Sequence, residues 1–119
     1  MSALAGKRIL VVEDEFIVAM MAQDLLMELG ATVVGPAATL ARALSLAETE
    51  TLDAAVLDVN MRGERIDPVA DLLNGRNIPF VFTTGYGEGI ADRAHQAPIL
   101  DKPYTQARLA GALERALNL

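Results

Sequence analysis

Short runs of Val, Ile, Leu and Phe recur along the chain, each followed by a longer segment in which apolar residues return every three or four positions. Such alternation predicts βαβ units around a parallel sheet. The runs are Ile9-Leu10-Val11-Val12, Thr32-Val33-Val34, Ala54-Ala55-Val56-Leu57, Phe80-Val81-Phe82 and Pro98-Ile99-Leu100. The first, third and fourth are apolar without interruption, the pattern of interior strands covered on both faces, which leaves the second and fifth as edges. Between the runs, Phe16 to Leu29 reads as a helix with an inner face of Ile17, Met21, Leu25 and Leu29, and Gly30 is placed to end it as C′. Thr39 to Ala47 repeats the pattern more weakly after a break at Gly35-Pro36. Asp67-Pro68 supplies an N-cap and N1 for Val69 to Leu73. The last helix runs from about Thr105 to Leu117 with a stripe of Leu109, Leu113 and Leu117. Gly85 to Ala97 holds three glycines and few large apolar residues, so a helix there is expected to be short and loosely held. The expected fold is therefore α/β: a flavodoxin-like, doubly wound five-stranded parallel sheet with helices on both faces.

At 119 residues, and with no linker, tandem repeat or low-complexity tract, the pattern closes into one domain spanning 1–119. Its 10 Lys+Arg against 16 Asp+Glu leave a net charge of −6, and the basic residues are scattered, which argues against direct nucleic-acid binding. The absence of cysteine excludes a disulfide scaffold, a thiolate zinc site, an iron–sulfur cluster and a thiol nucleophile. Lys7-Arg8 precedes an apolar run too short for a signal-peptide core, and no run is long enough to span a bilayer. The expectation is a cytoplasmic protein without membrane association.

In a doubly wound sheet, ligands bind outside the carboxyl ends of the strands. Four of the five runs end in chemistry: the first in Glu13-Asp14, the third in Asp58, the fourth in Thr84-Gly85 and the fifth in Lys102-Pro103. Two carboxylates about 4 Å apart repel by roughly 4 kcal/mol at an effective dielectric of 20, so a convergence of them calls for a cation. Oxygen ligands select a hard divalent ion, and Mg²⁺ accepts one or two carboxylates while leaving room for a phosphate oxygen. An aspartate so screened can attack phosphorus, and both enzymes and switches use the resulting acyl phosphates. Thr84 and Lys102 are suited to holding the equatorial oxygens of a moving phosphoryl group. Each residue alone has a plainer reading: Glu13, Asp14 and Glu15 as a solvated turn before a helix, Asp58 as a strand end, Asn60 as a turn residue. Their conjunction at successive strand ends outweighs those readings. The lone His95 has no second histidine nearby to build a metal site or triad, and is expected to be exposed.

With Leu10-Val-Val-Glu-Asp14, Leu57-Asp58-Val-Asn60, Phe82-Thr-Thr-Gly-Tyr86 and Asp101-Lys102-Pro103-Tyr104 in this order, the chain resembles the response-regulator receiver domains of bacterial two-component signalling. The Phe82 to Tyr86 stretch is similar to the FATGUY subgroup, known mostly as single-domain regulators or stress-signalling receivers. The resemblance implies Asp58 as phosphoacceptor, with Asp14 a direct magnesium ligand and Glu13 a ligand through water. It further implies Asn60 as a ligand through its carbonyl and Thr84 and Lys102 on the phosphoryl oxygens. It implies a cis Lys102-Pro103 bond, and a histidine kinase or histidine phosphotransfer protein as donor. An interaction face near Ile90, Tyr104 and Arg108 is implied for a downstream protein, with a homodimer left open. Ile99 stands where many receivers carry a switching aromatic, and the segment from Thr84 to Lys102 is short, so Tyr86 becomes the candidate moving aromatic of a phosphate-ordered loop. With no further domain expected after Leu119, the implied role is a phosphorylation-controlled interaction switch or phosphate sink. It would catalyse only its own phosphorylation and dephosphorylation. A small aspartyl-phosphate phosphatase is disfavoured by motif order, because such enzymes carry the nucleophile on the first strand. A phosphorylation-independent pseudo-receiver is disfavoured by the presence of both Asp58 and Lys102.

Overall fold

The computed structural model describes residues 2–85 and 97–119. Five strands, β1 (Arg8–Val12), β2 (Thr32–Ala37), β3 (Ala54–Asp58), β6 (Phe80–Thr84) and β7 (Ile99–Asp101), form one parallel sheet in the order β2-β1-β3-β6-β7. Two further short strands, β4 (Asn60–Met61) and β5 (Glu64–Arg65), make an antiparallel hairpin. The helices among the described residues are α1 (Phe16–Glu28), α2 (Leu40–Thr49), α3 (Asp67–Gly75) and α4 (Gln106–Leu117). The expected helix between Gly85 and Ala97 falls almost wholly outside the described residues, as do Tyr86, Ile90 and His95.

The interior strands are β1, β3 and β6, as their unbroken apolar runs require. Alternate residues feed two separate cores. Leu10, Val12, Ala55, Leu57, Phe80 and Phe82 pack with Ala43, Leu46, Val69 and Leu73 of α2 and α3, whereas Ile9, Val11, Ala54, Val56 and Val81 pack with Ala22 and Leu26 of α1 and Leu109 and Leu113 of α4. Period two within a strand thus divides the residues between two helical layers, each excluding water from one sheet face. The order reverses between β1 and β3, which opens a crevice at their carboxyl ends.

Local signals account for three of the helix ends. Thr39 and Thr105 cap α2 and α4, their hydroxyls accepting from the N–H groups of Arg42 at 3.1 Å and Arg108 at 3.2 Å. Gly30 takes a positive φ of 83° just past α1. Three expectations need correction. The buried face of α1 is Ala19, Ala22 and Leu26; of the expected stripe, Leu25 and Leu29 pack partly buried against the core, but Ile17 is 69% exposed and Met21 45%. The helix is apolar on nearly every side, so spacing could not choose the face, and the small alanines permit the closer approach to the sheet. Gly35-Pro36 does not break the chain before α2 but lies inside β2, where an edge strand tolerates proline and the pairing with β1 shifts register between Leu10 and Val12. α3 starts one residue earlier than read: Ile66 is its N-cap, and Asp67 is already in its first turn.

Candidate functional site

The crevice collects the residues that end β1, β3, β6 and β7. Glu13 follows β1 and is held by its N–H on the carbonyl of Ala37 at 3.0 Å. Asp58 is the last residue of β3, and its Oδ1 accepts the N–H of Asn60 at 3.2 Å. Both are buried, Glu13 at 4% exposure and Asp58 at 1%. One carboxylate oxygen from each of Glu13, Asp14 and Asp58 lies within 4.8 Å of the other two. Lys102, just beyond β7, is anchored by its N–H on the Thr84 carbonyl at 2.7 Å. Its ammonium reaches back to Glu13 Oε1 at 2.9 Å and Asp58 Oδ2 at 3.3 Å. The Lys102-Pro103 bond is cis.

The electrostatics follow from this burial. Desolvation pushes the Asp58 carboxyl up to about 7, and the charge of Glu13 pushes the same way; the Asn60 N–H and the Lys102 ammonium offset only part of it. Burial pulls the Lys102 ammonium downward, but its hydrogen bond to Glu13 and the charges of Asp58 and Glu13 leave it above its ordinary value. Tyr104, buried beside them, has its hydroxyl raised to about 12 by burial and by Glu13. The buried Lys102 ammonium therefore meets two of three close carboxylates, and the site is short of buried positive charge. The donor set is all oxygen and anionic, which suits a hard divalent cation such as Mg²⁺.

Of the residues singled out by sequence, Glu13, Asp14, Asp58 and Lys102 meet in one cluster. Thr84 is buried on the neighbouring strand, and its hydroxyl donates to the Gly85 carbonyl at 3.4 Å. Asn60 touches Asp58 through its backbone N–H, while its side chain closes the β4–β5 turn by accepting the Gly63 N–H at 2.8 Å. Two neighbours went unnoticed in the sequence. Arg62, at the tip of that turn, places Nε 3.9 Å from Asp14 Oδ2. A cleft of about 260 Å³ beside Lys102 is lined by Glu15, Val18, Met21, Gly85, Pro103 and Tyr104. Only the Arg62-Gly63 pair hinted at the turn, since strands of two residues leave no period to read.

Known proteins are similar to this chain in sequence and in fold. The sequence profile of the response regulator receiver domain matches residues 9–114. The transcriptional regulatory protein PdtaR of Mycobacterium tuberculosis is 31% identical over 98% of this chain, and the phyllosphere-induced regulator PhyR of Methylorubrum extorquens is 30% identical over 98%. The chain spans only 59% of the first and 46% of the second. Among solved structures, SdrG from Sphingomonas melonis Fr1 is 47% identical with a TM-score of 0.85, covering all of both chains. The receiver domain of the sensor histidine kinase PA1611 from Pseudomonas aeruginosa PAO1, with a magnesium ion coordinated in its active-site cleft, is 27% identical with a TM-score of 0.80 over 97% of this chain and 100% of that one. Among the described residues no helix is long and apolar enough to cross a membrane. With its fold, its acidic crevice and the family profile in agreement, the chain belongs to the response regulator receiver domains of two-component signalling, a family built for phosphorylation-controlled switching.

Proposed function

We propose that the chain is a Mg²⁺-dependent phosphoryl acceptor. In this reading Asp58 takes the group from a phosphohistidine of a histidine kinase or phosphotransfer protein, and the modified domain alters its hold on a protein target or drains phosphate from the kinase. The observation that carries the reading is the buried Asp58 carboxylate, within 4.8 Å of Glu13 and Asp14 and 3.3 Å from the Lys102 ammonium. Glu13, Asp14 and Asp58 would hold the metal, Asn60 adding its carbonyl, and the bound ion would supply charge neutralisation that lets an anionic donor approach.

The protein's own residues carry the rest. An Asp58 oxygen forms the new P–O bond as the P–N bond to the donor imidazole breaks, and the imidazole leaves on taking up a proton. Lys102 stabilises the charge spread over the equatorial oxygens, exchanging its present carboxylate partners for the phosphoryl group, and Thr84 adds its hydroxyl. Phosphorylation adds about −1.5 to −2 charges, so these two side chains meet phosphoryl oxygens only in the modified state, the differential contact a switch needs. Exposed Phe16, Ile17 and Met20 on α1, close behind Asp14 in sequence, offer apolar surface for a protein donor. The domain acts on itself alone, as acceptor and then as the site of hydrolysis.

Intact-mass spectrometry after incubation with a small phosphodonor tests this. One phosphoryl adduct that requires Mg²⁺ and is lost in Asp58→Asn is expected. An adduct that persists in Asp58→Asn would overturn the assignment.

A further inference from the structure

The β4–β5 hairpin brings a second cation to the acidic crevice. Asn60 pairs with Arg65 and Met61 with Glu64, leaving Arg62 and Gly63 as a two-residue turn, both with positive φ, 55° and 84°. Glycine adopts such angles freely, whereas an arginine there works against its own Cβ. The turn is pinned from inside by the buried Met61 and Ile66 and closed by the Asn60 side chain on the Gly63 N–H at 2.8 Å. A strained arginine is thereby held over the rim, with Nε 3.9 Å from Asp14 Oδ2. Lys102 serves Glu13 and Asp58; among the described residues, Arg62 supplies the ion-pair partner of Asp14.

We infer that Arg62 is a tethered counter-cation that competes with Mg²⁺ for Asp14, screening the acidic crevice when the metal is absent and setting how tightly it binds. The inference rests on the proposed Mg²⁺ site. Arg62 is a positioning residue: it acts through Asp14, and its charge is felt as a competitor before the metal arrives. Because its side chain is 67% exposed, water and salt weaken the pair, so the effect is modest and dependent on ionic strength.

The test is calorimetric titration of the full chain with MgCl₂ at low and high ionic strength. Arg62→Gln, which removes the charge and keeps a polar side chain, is expected to bind Mg²⁺ about three- to five-fold more tightly than wild type at low salt, with the gain shrinking at high salt. Arg62→Gly is expected to show the same gain, with a metal-free melting temperature above that of Arg62→Gln, since it also relieves the positive φ. Arg65→Gln removes the same charge from the same hairpin, but its Nε is 2.8 Å from Asp67, and it is expected to move the affinity less. Equal Mg²⁺ affinities in wild type and Arg62→Gln, or an equal gain in Arg65→Gln, would overturn the inference while leaving the metal site standing. Failure of wild type and both Arg62 variants to bind Mg²⁺ would instead remove the site and the inference together.

Discussion

Charged residues gather at both ends of the central strands, and the two ends solve the problem differently. At the amino end of β1, the Arg8 N–H donates to Asp53 Oδ2 at 2.8 Å, its Nε to the Thr51 carbonyl at 2.6 Å and its Nη2 to Glu50 Oε1 at 3.1 Å. Arg76 adds its guanidinium to the carbonyls of Ala47 and Glu50. The Arg8–Glu50 pair is more than a third exposed, and each charge there has fixed partners. At the carboxyl end, Glu13 and Asp58 are almost fully buried and share one ammonium with Asp14 close by. Similar side chains thus secure the loop before β3 at one end and hold unbalanced charge at the other. Buried surplus charge costs stability unless paired, so the surplus supports the proposal that a cation and a phosphoryl group bind at this end.

Substitutions at the two ends should therefore separate chemistry from stability. Lys102→Met removes the proposed donor to the phosphoryl oxygens and is expected to slow phosphorylation by a small phosphodonor at least ~100-fold, the scale of losing one preorganised donor. Arg8→Met is expected to leave that rate within about two-fold while lowering the midpoint of urea unfolding. Stopped-flow phosphorylation read beside urea curves checks both, and comparable rate losses at the two ends would break the contrast.

The pH dependence of the metal-free protein sharpens it. Burial raises the Asp58 carboxyl from its ordinary 3.8 to about 7 in the folded protein, so between those values the folded protein holds a proton that the unfolded chain has released. Stability then falls as pH rises through that window, and the loss is complete above it. Metal-free wild type should melt several degrees lower at pH 8 than at pH 5 through this group, and Asp58→Asn should melt above wild type at pH 8 while losing that slope. Thermal scans with a chelator present would show it.

Smaller effects are expected at the amino end. Asp53→Ala leaves the Arg8 N–H without its partner and should cost about 1–2 kcal/mol in urea unfolding. Glu50→Gln, which loosens a partly exposed ion pair, should change stability by less than about 0.5 kcal/mol. A larger cost for Glu50 than for Asp53 would show that side-chain pairing, and not backbone anchoring, secures that end.

How much of this was legible in the sequence depends on how many residues carried each signal. β1, β3 and β6 were readable because each run is apolar throughout, and the strand ends then named Glu13, Asp14, Asp58, Thr84 and Lys102 by position. The inner face of α1 was not readable. Phe16, Ile17, Met20, Met21 and Met27 are all exposed, and the face that packs is Ala19, Ala22 and Leu26, with Leu25 and Leu29 partly buried beside it. The β4–β5 hairpin was equally hidden, since its four paired residues show no alternation, and with it went the placement of Arg62 over Asp14. Side chains that act through tertiary approach, such as Lys102 on Glu13 across 89 positions of sequence, become visible only once the sheet order is known.

Everything proposed for the carboxyl end requires surplus negative charge there that a divalent cation relieves. The most direct measurement is the melting temperature of wild type and Asp58→Asn at pH 8, with a chelator and with millimolar Mg²⁺. Mg²⁺ is predicted to raise the wild-type value markedly and Asp58→Asn much less, closing the gap between them. An unchanged wild-type melting temperature on adding Mg²⁺ would contradict the claim.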